Sequence, residues 1–310
     1  MNNHELGGVN GCFPELMLWR QSPLAGFDSA RTGERAFHFL HGNGFCGRTL
    51  EPLAKALGSA SDHYMFTDLP GHGAAAGESS RESSGESYFS VQPDWNAMAD
   101  AVADSIARRA TTPVTAIGHS MGGVVTLLAA ARCPELFSEV VLLDPVLFGA
   151  EVLLYQRLMR KTGLWQRTGL VKSVSARRAS WPDKQSLAED LRRKSLYRSW
   201  SDEAFDAFVE YGTSDRDGCR TLACAPQWEA SIFGSYPRGL WRAVRTVDVP
   251  VGIIVASESY PFIRPAVKRA VRKNSNIRQF DYEGGHCFPM DAPEHAARVI
   301  NGVIAELNAR

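Results

Sequence analysis

A few side chains in this sequence have the types and order of an acyl-transfer apparatus. Ser120 lies in Gly118-His119-Ser120-Met121-Gly122, a match to G-x-S-x-G, and His286 follows Gly284-Gly285. Two carboxylates, Asp144 and Glu258, lie between them in the chain. A serine hydroxyl becomes a useful nucleophile when an imidazole takes its proton. A carboxylate then orients the imidazole and stabilises the imidazolium. The chain order serine, acid, histidine is the one that G-x-S-x-G predicts when it sits between a strand and a helix. Ser120 must stand in a strained turn for its hydroxyl to clear the sheet, and Gly118 and Gly122 remove side chains where helix and strand backbones crowd. The Met121 amide then opens a helix, where unpaired N–H groups and the helix dipole can hold an oxyanion. A second donor is expected from His41-Gly42-Asn43-Gly44-Phe45-Cys46-Gly47. This glycine-rich loop follows a strand, and the Asn43 amide would face the site.

The flanking sequence supplies the elements that must position these groups. Pro113-Val114-Thr115-Ala116-Ile117 reads as a buried parallel strand, and Gly123 to Ala131 as a helix. Leu16 to Arg20, Ala36 to Leu40, His63 to Thr67, Glu139 to Leu143, Val247 to Val255 and Asn276 to Phe280 read as further strands. Thr49 to Leu57, Trp95 to Arg109 and Pro293 to Leu307 read as helices between or after them. The segment from Leu24 to Glu34 is turn-rich, His72 reads as structural, and Ala74 to Ser90 reads as a polar surface loop. Strands alternating with helices imply an α/β fold with a mostly parallel sheet. Asp144 and His286 each come just after a strand, at the sheet edge where ligands gather.

The β-α rhythm breaks between residues 149 and 245. Helical patterns dominate there: Val152 to Lys161, Ser186 to Trp200 and Asp202 to Tyr211. The segment holds Trp165, Trp181, Trp200, Trp228 and Trp241, whose alternative readings are packed core and tunnel lining. Residues 150–245 carry 17 Lys/Arg against 11 Asp/Glu, a net +6 that the rest of the chain balances. That excess reads most simply as a solvated face. The expected organisation is a core domain of residues 1–148 and 246–310, with a helical cap at 149–245.

At 310 residues, 44% hydrophobic, 22% charged and with zero formal net charge, the chain makes no overall electrostatic demand for nucleic acid or a membrane surface. No apolar run approaches a membrane span, and Met1 to Asn10 is polar, without a signal-peptide pattern. A cytoplasmic location is expected. Cys12, Cys46, Cys133, Cys219, Cys224 and Cys287 form no metal-ligand spacing and read as reduced thiols, and no metal or organic cofactor is implied.

Leu40-His41-Gly42-Asn43-Gly44, Asp68-Leu69-Pro70-Gly71-His72-Gly73, Gly118-His119-Ser120-Met121-Gly122 and Gly285-His286 together resemble the α/β-hydrolase superfamily over nearly the whole chain. The resemblance implies Ser120 as nucleophile, His286 as general base, the Asn43 and Met121 amides as oxyanion hole, and 149–245 as the cap over the pocket. Many capped members place their acid after the strand that follows the cap, in a Gly-x-x-Asp turn. Here that turn reads Ala256-Ser257-Glu258-Ser259, with Ser259 in the acid's place. Asp144, at a position that resembles the acid site of some haloalkane dehalogenases and lipases, is therefore favoured, with Glu258 as the alternative. Serine at the elbow argues against epoxide hydrolase and dehalogenase chemistry, which use aspartate there. The implied activity is hydrolysis of a small, mainly apolar carboxylic ester through an acyl-enzyme. The same residues also fit a carbon–carbon bond hydrolase, a lactonase, a thioesterase, a cofactor-free perhydrolase, or a slow receptor-like binder of small molecules. A carbon–carbon hydrolase would need a polarising group, for which Arg177 or Arg178 is available.

Overall fold

A computed structural model describes residues 13–29, 33, 35–80, 93–161 and 168–309. Cys12, Trp165, and the part of the expected surface loop from 81 to 90 lie outside them.

The central sheet has eight strands: β1 (Met17–Gln21), β2 (Leu24–Asp28), β3 (Ala36–Leu40), β4 (His63–Asp68), β5 (Val114–His119), β6 (Phe137–Leu143), β10 (Val251–Glu258) and β11 (Ile277–Gly285), in the order β1-β2-β4-β3-β5-β6-β10-β11. From β4 to β11 all pairings are parallel, whereas β1–β2 and β2–β4 are antiparallel. β3 and β5 are buried along their whole length. That is why they read as continuous apolar runs without alternation: helices cover both faces of a parallel sheet. The covering helices are α1 (Glu51–Leu57), α2 (Trp95–Arg109), α3 (Met121–Ala130), α10 (Ile263–Val271) and α11 (Pro293–Asn308). All ten residues of α3 are buried. α2 begins at Asp94, whose carboxylate accepts the Asn96 and Ala97 amides and so satisfies two donors that the first turn leaves open.

Two elements differ from the expectations of the sequence. The stretch from Leu24, expected as turns, forms β2, because a tight turn at Ser22-Pro23 folds it back on β1. The expected helix from Ser186 to Trp200 ends at Arg192.

Between β6 and β10 the chain forms α4 (Ala150–Lys161), α5 (Gly169–Ser175), β7 (Ser180–Trp181), α6 (Lys184–Arg192), α7 (Asp202–Tyr211), β8 (Thr213–Arg216), β9 (Cys219–Leu222), α8 (Pro226–Phe233) and α9 (Leu240–Thr246). The segment is thus not purely helical. β7, β9 and β8 make a small antiparallel sheet, with Asp217 and Gly218 turning the β8–β9 hairpin at positive φ. These strands are too short and polar to show in the hydrophobic pattern. Trp181, Trp200 and Trp228 are buried and pack as core, with Trp200 edge-on to Phe45, Tyr197 and Phe208. α9 packs on α3 and α10, so the chain rejoins the outer helix layer one helix before the sheet resumes. Among the described residues no helix is long and apolar enough to cross a membrane.

Candidate active site

The parallel strands β5, β6, β10 and β11 are neighbours, so their C-terminal ends share one edge of the sheet. Ser120 follows β5, Asp144 follows β6, Ser259 follows β10 and His286 follows β11. Residues far apart in sequence meet there because each parallel strand points its end the same way.

Ser120 adopts φ 55° and ψ −116°, a region that costs a non-glycine residue on the order of 1–3 kcal/mol. The neighbouring strand imposes it. The Ser120 amide donates to Leu143 O at 3.0 Å, and the Ser120 carbonyl accepts from the Val146 amide at 3.3 Å. Close approach of α3 also demands glycine at 122, where a Cβ would stand 2.4 Å from Leu40 O. Met121 is the first residue of α3, so its N–H has no acceptor within the helix and lies beside the serine.

His286 bridges Ser120 and Asp144. Its Nε2 lies 3.0 Å from Ser120 Oγ, and its Nδ1 lies 2.5 Å from Asp144 Oδ2. The His286 side chain is 19% exposed whereas that of Asp144 is fully buried, so the imidazole can meet a substrate and the carboxylate cannot. Asp144 Oδ1 accepts the Ala256 amide at 3.1 Å, and Oδ2 also accepts the Ser259 hydroxyl. Ser259, which holds the acid's place in the turn after β10, thus turns its hydroxyl toward Asp144. Glu258, the alternative acid, ends β10 with its side chain exposed, and the structure does not bring it to His286. The end of β10 decides this: the strand is buried through Ala256, its register against β11 then shifts, and Ser257 and Glu258 are exposed.

His119 joins the elbow to the histidine loop. Its Nε2–H donates to His286 O at 3.0 Å, and its ring stacks on Phe45. Burial pushes its pKa down to about 3, with the nearby His286 adding to the effect. His119 is therefore a neutral strut across the physiological range.

The glycine loop lies against the serine, since a Cβ on Gly42 would be 3.2 Å from Ser120 Cβ. Two neutral histidines hold this loop. His41 donates Nδ1–H to Gly42 O at 2.7 Å and accepts the Leu69 amide at Nε2, 3.0 Å away. His72 donates Nδ1–H to Pro70 O at 3.0 Å and accepts the Gly44 amide at Nε2, also at 3.0 Å. Burial lowers His41 well below the usual histidine value and His72 to about 4. A protonated imidazole could not accept these amides, so their neutrality is what lets them support the loop. The structural part that His72 plays is to hold the Gly44 amide. The pairing of His72 with Gly44 and of His41 with Leu69 could not be read from the sequence, because both contacts span 28 residues.

Of the two arginines considered for polarising a substrate, Arg178 is exposed and donates to Ser180 O at 2.8 Å. Arg177 points inward and pairs with Glu229, Nη2 to Oε2 at 2.6 Å. Cys46, Cys133, Cys219, Cys224 and Cys287 are free thiols. Burial pushes Cys287, beside the histidine, up to about 12, which keeps it protonated and a poor nucleophile. Among the described residues no group of three His, Cys, Asp or Glu side chains could hold a metal ion. A groove of about 320 Å³ lined by residues including Arg20, Phe27, Tyr211 and Arg216 contains neither Ser120 nor His286. Its position carries no part of this chemistry.

Comparison with known proteins agrees with the fold. A sequence model described as "Alpha/beta hydrolase family" matches residues 39–301. Esterase Rv0045c of Mycobacterium tuberculosis is 30% identical over 142 residues, which cover 46% of this chain and 43% of that protein. The alignment therefore spans less than half of that relative's length. The structure of the same M. tuberculosis esterase superposes with a TM-score of 0.71 at 21% identity, covering 96% of this chain and 94% of that one. The peroxisomal alpha-beta-hydrolase Lpx1 of Saccharomyces cerevisiae superposes with a TM-score of 0.72 at 18% identity, covering 94% of this chain and 87% of that one. A thioesterase domain from the curacin biosynthetic pathway gives 0.71 at 16% identity, with 92% and 98% covered. At these identities the superpositions show a shared fold.

Proposed function

The chain belongs to the alpha/beta hydrolase family, and on that premise we propose that it is a serine hydrolase of small, mainly apolar carboxylic esters. The observation that carries this reading is the continuous hydrogen-bonded line from Asp144 through His286 to Ser120. His286 Nε2 removes the Ser120 hydroxyl proton as Oγ attacks the ester carbonyl carbon. The carbonyl oxygen becomes an oxyanion, received by the Met121 and Asn43 amides. Collapse breaks the bond to the alcohol oxygen, which takes the proton from His286 and departs. Water then attacks the acyl-enzyme, losing its proton to His286. A second collapse releases the carboxylic acid and returns the proton to Ser120. Asp144 accepts Nδ1–H throughout and stabilises each imidazolium. No step needs a metal or an organic cofactor.

Residues 149–245 are assigned as the cap, with the site between this segment and the sheet edge. Ester hydrolysis is favoured over carbon–carbon bond cleavage because Arg177, which faces inward, is already paired with Glu229. The free thiols of the five described cysteines support a cytoplasmic setting. The test is hydrolysis of a chain-length series of p-nitrophenyl esters by wild type and Ser120→Ala. Turnover by wild type, with a loss of about 10⁴-fold or more in Ser120→Ala and an unchanged circular dichroism spectrum, is expected. Equal turnover by the two proteins would refute the assignment of the nucleophile.

A further inference from the structure

The inserted segment touches the glycine loop at several points, and these contacts have a common design. Glu229 on α8 is buried, and its Oε1 lies 2.8 Å from where a Gly44 Cβ would stand. Gly44, at φ +82°, leaves room for that carboxylate one residue from the Asn43 amide. The Glu229 backbone carbonyl accepts Asn43 Nδ2 at 3.1 Å. The preceding residue, Trp228, donates Nε1–H to Pro70 O at 2.7 Å, and the same carbonyl receives the His72 Nδ1–H. Arg177, just past α5, closes the arrangement through its ion pair with Glu229.

We propose that Arg177, Glu229 and Trp228 are positioning residues that clamp the 42–44 loop, making the inserted segment part of the apparatus that stabilises the oxyanion. This rests on the Ser120 reading above and extends it. The charge of the pair matters as much as its contacts. A bare carboxylate beside Gly44 would oppose an oxyanion forming at the Asn43 amide, and Arg177 cancels that field at close range. Glu229 fixes the loop sterically and through its backbone, Arg177 neutralises Glu229, and Trp228 braces the turn on which His72 rests. The device therefore acts asymmetrically: losing the cation harms oxyanion formation more than losing the anion.

The experiment uses the full chain as wild type, Arg177→Met, Glu229→Gln, the double variant, and Arg177→Lys. Each is measured by active-site-titrated kinetics on p-nitrophenyl butyrate and by amide hydrogen exchange of the peptide covering residues 41–47. Arg177→Met is expected to lower kcat by about 30-fold with KM within about twofold, and Glu229→Gln by about fivefold, because the first leaves a buried carboxylate unpaired. In the double variant no charge is stranded, so kcat is expected to recover above that of Arg177→Met. Arg177→Lys, which keeps the charge, should restore most of kcat and answers for any variant that fails to fold. Exchange at 41–47 should quicken in Arg177→Met while the peptide covering 121–130 stays protected. Unchanged exchange at 41–47, a change confined to KM, or a double variant slower than both singles would overturn the clamp. Ser120→Ala run alongside tests the parent reading separately: retained turnover there refutes the nucleophile, while the exchange data still decide the clamp.

Discussion

Lowering the pH should destabilise this fold steeply, and the slope follows from its buried histidines. His38, His41, His72 and His119 are all buried. Desolvation holds His38 and His119 down to about 3, His72 to about 4, and His41 well below the usual value. In the unfolded chain each takes a proton near the usual 6.5. The folded pKa is thus depressed, the neutral form is the folded form, and the unfolded state binds more protons below pH 6.5. The stabilisation is complete above that value and is lost as pH falls through it. Between pH 7 and 5 each histidine costs about 1.9 kcal/mol, and the folded value scarcely enters because it lies below the window. Asp68 acts in the opposite direction. Burial raises its carboxyl to about 6, so it takes up a proton in the folded state and offsets about 1.3 kcal/mol. Buried Glu229 and half-buried Asp291 are also raised by desolvation and act in the same sense as Asp68. The four histidines less Asp68 leave about 6 kcal/mol lost, against a total stability of roughly 5–15 kcal/mol for a folded domain. The assay is urea unfolding by tryptophan fluorescence at half-unit steps from pH 7.5 to 5. His38→Gln provides an internal check and should reduce the loss by about 2 kcal/mol. A stability that changes by less than about 1 kcal/mol across the window would refute the reasoning, because the histidines would then titrate alike in both states.

The remaining predictions concern the site. Asp144→Asn should lower kcat by about 10³- to 10⁴-fold on p-nitrophenyl esters, since the amide presents the wrong partner to Nδ1–H. Glu258→Gln should stay within about twofold, as expected of an exposed side chain with no hydrogen bond to the imidazole; a larger loss would reinstate it as the acid. Ser259→Ala removes one donor from Asp144 and should cost about tenfold in kcat, the equivalent of about 1.4 kcal/mol, with the pH–rate profile showing whether the imidazole titrates differently. Gly122→Ala places a Cβ 2.4 Å from Leu40 O. It should lower the unfolding free energy by more than about 3 kcal/mol, read by thermal melting, because that oxygen and His41 O at 2.5 Å are both backbone and cannot move aside.

How much of this was written in the sequence differs element by element. The parallel strands β3, β5, β6 and β10 were legible because burial on both faces makes each a continuous apolar run. Ser120, Asp144 and His286 could be picked out by type, order and position after strands. β2 and the small β7-β9-β8 sheet were not legible, since short antiparallel pairs depend on partners that local pattern does not name. The tertiary structure decided which carboxylate reaches His286. The register of β6 against β10 buries Asp144 beside the imidazole, and the end of β10 leaves Glu258 exposed. Ser259, His72, His119 and the Arg177–Glu229 pair likewise acquired their partners only in the fold. Periodicity is a local property that a single strand or helix carries in its own residues. Hydrogen bonds that span 115 residues from Ser259 to Asp144, or 142 from His286 to Asp144, exist only once sheet order and register bring those residues together.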